Sequence, residues 1–279
     1  MKKIFIISLI VIAVLSFSLL VYKGVKQARG IPTVVKEKKM PIVEVPFVNN
    51  HIDLSSGIGR QFWDMRPATK IELIYQLMVI PWPKASVPYV KVKSFHNKED
   101  IYFYLEWPDD TQDSGADIKN FSDAGAVMFP LGKKVVTQSL MMGFLGKANI
   151  WHWKANQDRE YWLGKSTEAK VYVDFYYPFE EQELFAVSKE KFDSAVNDLV
   201  AIRVGTITRK PIQNIKGRGT YNKGIWRVVF KRTLKAEDAE VDAEFAFGKK
   251  LCAFAIWNGS KGDRGGRKSI SNWVDLRIR

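Results

Sequence analysis

Apolar and polar positions alternate in short blocks along most of this chain, which is the period-2 signal of strands with one buried face. Tyr89–Phe95 and Ile101–Trp107 flank the turn-forming run His96-Asn97-Lys98-Glu99-Asp100 and predict a hairpin. Ala124–Phe129, Ala148–Trp153, Ala169–Phe175, Gly224–Phe230, Leu251–Trp257 and Trp273–Ile278 continue the series, each bounded by Gly, Pro, Asn or Asp. Within Ala68–Met78, the positions Ile71, Leu73, Tyr75 and Leu77 fit strand alternation better than a helical period. Ser188–Leu199 is the clearest helical pattern, with Phe192, Ala195, Val196 and Leu199 on one face. Many short strands separated by turn signals argue for an all-β sandwich or barrel with a few short helices.

The N-terminus follows a different pattern. Met1-Lys2-Lys3 precedes nineteen residues without a charge, Ile4 to Tyr22, close to the roughly 20 apolar residues that cross a bilayer as a helix. A cleaved signal peptide is the rival reading, with Ala28-Arg29-Gly30 as its candidate processing site. Lys23, Lys26 and Arg29 fall between that site and the apolar run, where processing regions are short and uncharged. The expectation is therefore an uncleaved transmembrane helix within residues 1–30, with an exported, periplasmic or otherwise extracytoplasmic domain behind it. Residues 31–46, with Pro32, Pro41, Pro46 and the charges of Lys36–Lys39, read as a tether, and residues 47–279 as one domain.

Composition narrows the chemistry. With 46% hydrophobic and 13% aromatic residues the domain can build an ample core. A net charge of +13 raises the question of nucleic acid, but the lysines are scattered, no nucleic-acid motif is present, and an exported domain does not meet nucleic acid. Cys252 is the single cysteine. It excludes an intrachain disulfide, a Cys-x-x-Cys metal site and covalent haem attachment, and its place inside Leu251–Trp257 makes it a core residue. His51, His96 and His152 lack zinc spacing. No Gly-rich phosphate loop opens a helix, and Ser260 and Ser269 have no nucleophile elbow. Catalysis by this chain has no support in its residues.

Two clusters remain. The loop Asn258–Lys268 lies between Leu251–Trp257 and Ser269–Ile278 and carries Lys261, Arg264, Arg267 and Lys268 against one acid, Asp263. Such a loop can hold an anion or a metal-bearing cofactor, or be a solvated hairpin tip. Ser139-Leu140-Met141-Met142-Gly143-Phe144-Leu145-Gly146 precedes Asn149-Ile150-Trp151-His152-Trp153-Lys154-Ala155. A thioether is a weak, polarisable ligand suited to haem iron, although paired methionines also serve as core filler.

The ordered blocks Pro88–Lys93 with Asp100–Trp107, Asp123–Pro130, Met142-Gly143 with Asn149–Ala155, Gly224–Phe230 with Arg232, and Trp257-Asn258-Gly259 through Gly265–Lys268 to Ser271-Asn272-Trp273 resemble a known family. It is that of the haem b (gamma) subunits of the ethylbenzene dehydrogenase, dimethylsulfide dehydrogenase, selenate reductase and chlorate reductase group. The resemblance runs from about Asp64 to the C-terminus. It implies a β-sandwich holding one haem b between a methionine and a lysine. It also implies electron transfer with a molybdenum catalytic alpha subunit through an iron–sulfur beta subunit, and with a soluble or membrane redox partner. Carried over by residue, the iron ligands are Met142, with Met141 as runner-up, and Lys268, with Lys261 as runner-up.

Chemistry agrees with that assignment. An amine binds iron only when neutral, and lysine is the cation whose pKa yields most readily to burial. Ile270 and Trp273 stand near Lys268 in sequence to dry it. Arg264 and Arg267 stay protonated and suit the haem propionates, or are plain surface charges. Trp151 and Trp273 can wall the macrocycle, with Trp153, Trp226 and Trp257 as further candidates; for each, ordinary core is the simpler role. Two features depart from the family: the retained N-terminal run, and the long stretch Glu160–Lys216, which is either a docking insertion with Ser188–Leu199 as its helix or a surface elaboration. The alternatives from other classes are a carbohydrate-binding sandwich with exposed tryptophan platforms and a structural membrane tether.

Overall fold

Strand alternation is realised as fourteen strands among the residues that the computed structural model describes, which are 39–76, 84–115, 120–132, 146–164, 192–202 and 205–279. They are β1 (Ile42–Val45), β2 (Thr69–Glu72), β3 (Ile74–Tyr75), β4 (Tyr89–His96), β5 (Asp100–Pro108), β6 (Ala124–Pro130), β7 (Ala148–Lys154) and β8 (Val196–Ala201). β9 (Ile207–Arg209), β10 (Lys216–Tyr221), β11 (Ile225–Thr233), β12 (Gly248–Trp257), β13 (Ser269–Ile270) and β14 (Val274–Ile278) follow. The helices are short: α1 (Arg60–Asp64) and α2 (Ala155–Leu163).

These strands form two sheets. One runs β1-β14-β12-β6-β7-β8-β9, with β13 on β12 and β3 on β13; the other runs β10-β11-β5-β4-β2. Adjacent strands are antiparallel apart from β1, which pairs in parallel with β14 through Ile42↔Asp275 to Val45↔Ile278. β1 thus lies inside the stretch read as a tether, and Met40–Arg279 forms one compact unit. The expected hairpin is β4–β5, in register from Lys91↔Glu106 to His96↔Ile101.

The core lies between the sheets. Phe103, Leu105 and Trp107 of β5 meet Val127 and Phe129 of β6, Trp151 and Trp153 of β7, and Phe254 and Ile256 of β12. The Trp153 ring sits 5.0 Å from Trp226 and 6.1 Å from Trp107. Each such buried aromatic contributes on the order of 1.5–3 kcal/mol over an exposed one. The outer face of the smaller sheet is covered by Ile52, Leu54, Ile58 and Trp63, which pack on Phe95, Tyr102 and Tyr104. At the β7–β8 side, Lys210 is buried between the carboxylates of Asp198, at 2.7 Å, and Asp242. Asn149 Nδ2 donates to Asp198 Oδ1 at 2.6 Å, and Arg232 Nη1 lies 3.9 Å from Asp242.

Two expectations are corrected here. Among the described residues no helix is long and apolar enough to cross a membrane. The longest, α2, has nine residues and carries Asn156, Gln157, Asp158, Arg159 and Glu160, whereas a span needs about 20 apolar ones. The apolar run 4–22 lies outside the described residues, which themselves form an all-β sandwich with short helices. The transmembrane helix, the membrane as partner and the membrane-anchored location are withdrawn. The helix expected over Ser188–Leu199 is corrected as well, since Val196–Ala201 is strand β8, paired with β7 and β9. Its polar positions are buried rather than solvated: Asn197 Nδ2 donates to Gln157 Oε1 at 2.8 Å, and Asp198 binds Lys210. Tertiary pairing overrides the local period. The strand expected over Ala169–Phe175 lies outside the described residues.

Candidate functional site

On the face of the larger sheet turned away from the core, alternation sets out a row-by-row pattern. Register places Lys154 beside Ala124 and Ala124 beside Trp257. The next row is His152, Ala126, Ala255 and Ile270, and the one after it Ile150, Met128 and Ala253. Four alanines therefore make a low floor, with Trp257 and Ile150 packed against one part and Trp273, Ile270, Met128 and Leu251 against the other. Small residues flanked by large ones make this face flat and apolar, and Ala124, Ala126 and Ala253 are buried.

Nitrogen groups gather at one end of this floor. The Lys268 ammonium lies 4.9 Å from the centre of the Trp257 ring and donates to the Gly265 carbonyl at 3.2 Å, as does Trp257 Nε1 at 3.1 Å. Burial brings the Lys268 amine down to about 8, and that of Lys154 likewise to about 8. The His152 ring is 4.8 Å from Trp257, and its Nε2 is buried without a hydrogen-bond partner. Burial first, and then the charges of Lys154 and Lys268, hold His152 well below its ordinary pKa and so neutral.

The loop that presents Lys268 is tied down at several points. Gln76 N–H donates to the Lys268 carbonyl at 2.9 Å, and Ser269–Ile270 pair with β3. Asp263, the one acid, is buried and accepts from Ser86 Oγ, Tyr75 OH and Asn258 N–H. Asn258 Oδ1 caps the short turn Gly259–Lys261 by accepting from Lys261 N–H at 3.0 Å, and Asn258 Nδ2 donates to Asp109 Oδ1 at 2.8 Å. Gly259 N–H donates to Asp123 Oδ1 at 2.9 Å. Burial, and then the Asp123 charge, push Asp109 up to about 7; burial raises Asp123 to about 6.

A Cβ at position 259 would fall onto the Phe121 carbonyl. Backbone cannot give way as a side-chain tip can, so Gly259→Ala is expected to cost about 1–3 kcal/mol. A urea titration followed by tryptophan fluorescence checks this, and an unchanged midpoint would show that the loop relaxes freely.

The sequence-derived residues divide sharply. Lys268 and Trp273 border the floor. Lys261 is exposed on the turn. Arg264 and Arg267 are exposed beside it, Arg264 over the Phe121 ring at 4.5 Å and Arg267 donating to Tyr75 OH at 3.5 Å. Trp151 faces the other way: it is fully buried between the sheets against Phe129 and Phe245, the plain core role. Trp153 and Trp226 share that interior. Met141 and Met142 lie outside the described residues. Sequence reasoning passed over His152, Lys154 and the alanines; the signal was present in Asn149–Ala155, where Trp151 and Trp153 alternate with His152 and Lys154.

A family model described as Ethylbenzene dehydrogenase matches residues 60–269. A chain described as the respiratory nitrate reductase heme subunit ORF7 of Haloferax mediterranei is 26% identical over 214 residues, 76% of this chain and 64% of that one. The dimethylsulfide dehydrogenase subunit gamma of Rhodovulum sulfidophilum is 23% identical over 269 residues, covering 90% of this chain and 85% of its own. The chlorate reductase subunit gamma of Ideonella dechloratans is 25% identical over 181 residues, 64% of this chain and 60% of that one. This chain thus spans less than two thirds of the length of two of these relatives. Among solved structures, a family 9 carbohydrate binding module from Caldicellulosiruptor kristjanssonii aligns over 85% of this chain and 95% of that one, at 9% identity and a TM-score of 0.43, too distant to bear on what either chain binds.

Proposed function

Since the chain belongs to the ethylbenzene dehydrogenase family, we propose that it is an electron-transfer subunit carrying one non-covalent haem b. In this reading it exchanges electrons with a molybdenum catalytic subunit through an iron–sulfur subunit, and with a second redox partner. The observation that supports this most directly is the half-buried Lys268 amine, 4.9 Å from the centre of the Trp257 ring at the edge of the alanine floor. An amine dried against an indole loses its proton at far less cost than one in water, and only the neutral form has a lone pair for iron. The name of the Haloferax relative, a heme subunit, points the same way.

The residues fit such a group. Bound haem would supply a one-electron ferric/ferrous couple. Lys268 would offer it a nitrogen lone pair and Met142 a thioether sulfur, a soft ligand that favours the reduced metal. Trp257 shields the amine on one side, and the small side chains of Ala124, Ala126, Ala253 and Ala255 would let a ring lie close to the strands. Arg264 and Arg267, exposed and permanently charged, would be available to pair with the propionates. Among the described residues every tryptophan is buried or half-buried, so an exposed sugar-binding platform has no counterpart.

Titration of the haem-free protein with haemin tests the reading. One haem should bind, and acid–acetone should extract it completely. The pH dependence has a definite sign. Lys268 titrates near 8 in the fold and near its ordinary value, about 10.4, when unfolded. Below about 8 a proton must leave before the amine can bind, so haem affinity should fall by about tenfold per pH unit until binding without the amine takes over. Above 8 the affinity should level off. Failure to bind haem, or haem that resists extraction, overturns the proposal.

A further inference from the structure

We propose that Asp109, Asp113 and Asp123 form a binding site for a hard divalent cation of the calcium type, a site separate from the haem floor. One oxygen from each of the three carboxylates lies within 4.8 Å of the other two. Oxygens bound to calcium at about 2.4 Å lie at most about 4.8 Å apart, so the cluster has the right span, and an all-oxygen donor set is what a hard cation takes.

Hydrogen bonding in the cluster points to a missing positive partner. Asp123 is fully buried and accepts from Gly259 N–H at 2.9 Å through Oδ1, and from Asp113 N–H at 2.7 Å and Trp226 Nε1 at 2.9 Å through Oδ2. Asp113 Oδ2 accepts from Thr111 Oγ1 at 2.6 Å and Ser260 N–H at 3.2 Å. Asp109, only 3% exposed, accepts from Asn258 Nδ2 and Thr111 N–H through Oδ1, while its Oδ2 is buried with no partner. Among the described residues no lysine, arginine or histidine makes an ion pair with any of the three. A buried carboxylate oxygen with no donor, next to two further carboxylates, is an unfavourable arrangement that a cation relieves. The rest of the coordination shell would be water, since Asp113 is half-buried.

The position gives the cation a purpose. Asp109 and Asp123 hold Asn258 and Gly259, the first residues of the loop that ends at Lys268. Neutralising the carboxylates would lock the start of that loop to the connection between β5 and β6. The proposal does not depend on haem, and its readouts are independent of haem content.

The full chain, freed of metal with EDTA, should bind one Ca2+ when titrated with calcium chloride in a calorimeter. At 100 times the dissociation constant the thermal midpoint should rise by roughly 5 °C. Asp109→Asn keeps the shape and removes one charge. It is expected to fold, to weaken calcium binding by about tenfold or more, and to lose the calcium-dependent rise. Asp113→Asn, at the more open position, should also weaken binding and provides the reading if Asp109→Asn does not fold. No binding at millimolar calcium, wild-type binding by both variants, or a stability gain in Asp109→Asn with no calcium effect in the parent protein each overturns the site. The last result would assign a shared proton in place of the metal.

Discussion

Replacing Lys268 by arginine should remove the nitrogen ligand of the proposed haem site although the charge count is unchanged. A guanidinium stays protonated at any accessible pH and has no lone pair for iron, whereas the amine is already brought down to about 8 by burial beside Trp257. Lys268→Arg and Lys268→Ala should therefore both lose the low-spin spectrum and bind haem weakly, and Lys261→Arg, on the exposed turn, should leave it intact. If Lys261→Arg loses the spectrum and Lys268→Arg keeps it, the ligand is Lys261; if both keep it, no lysine is a ligand. Met142 would supply the thioether in the proposed site, and Met142→Ala should then lower the reduction potential of bound haem. Met128 is the internal control, because it sits on the floor itself beside Trp273. Should Met142→Ala leave the potential unchanged while Met128→Leu lowers it, the sulfur comes from β6.

A large loss of stability is expected from Lys210→Met. Lys210 is 6% exposed and neutralises Asp198 and Asp242, which are 0% and 2% exposed. Methionine fills a similar volume but leaves two buried carboxylates facing each other, with Arg232 at 3.9 Å from Asp242 as the remaining compensation. Removing one partner from a buried ion pair costs about 3–5 kcal/mol. The urea midpoint should fall accordingly at pH 7. The double replacement Lys210→Met, Asp198→Asn should recover most of the loss, since Asp242 then faces the Arg232 guanidinium and no buried carboxylate is left without a cation. If Lys210→Met alone is neutral, water reaches the site and the network contributes little.

Strand positions were legible from the chain because alternation is a local property: each residue's face is set by its neighbours two positions away. The β4–β5 hairpin, the strand at Thr69–Glu72 and the cationic loop between β12 and β14 all follow from it. The same local reasoning failed at Val196–Ala201. Phe192, Ala195, Val196 and Leu199 fall on one face at a helical period, which is also compatible with a buried strand. The partners of Asn197 and Asp198, Gln157 and Lys210, belong to other elements and are invisible in a window of the sequence.

By itself, then, the sequence determined the longer strands β4 to β7, β11, β12 and β14, the place of the cationic loop, the lack of any thiol pair and the family. Tertiary structure decided which side of each strand the chemistry occupies. Trp151 and Lys268 are both prominent in the sequence, yet the pleat sends Trp151 into the core, while Lys268 sits over Trp257 at the edge of the outer face. Ala124, Ala126, Ala253 and Ala255 are unremarkable one at a time and become a floor only when β6 and β12 pair in register. Asp109, Asp113 and Asp123 become a cluster only when the connection from β5 to β6 folds against Gly259. Register and burial depend on contacts between residues distant in sequence, and burial sets whether a lysine holds its proton and whether a carboxylate needs a partner.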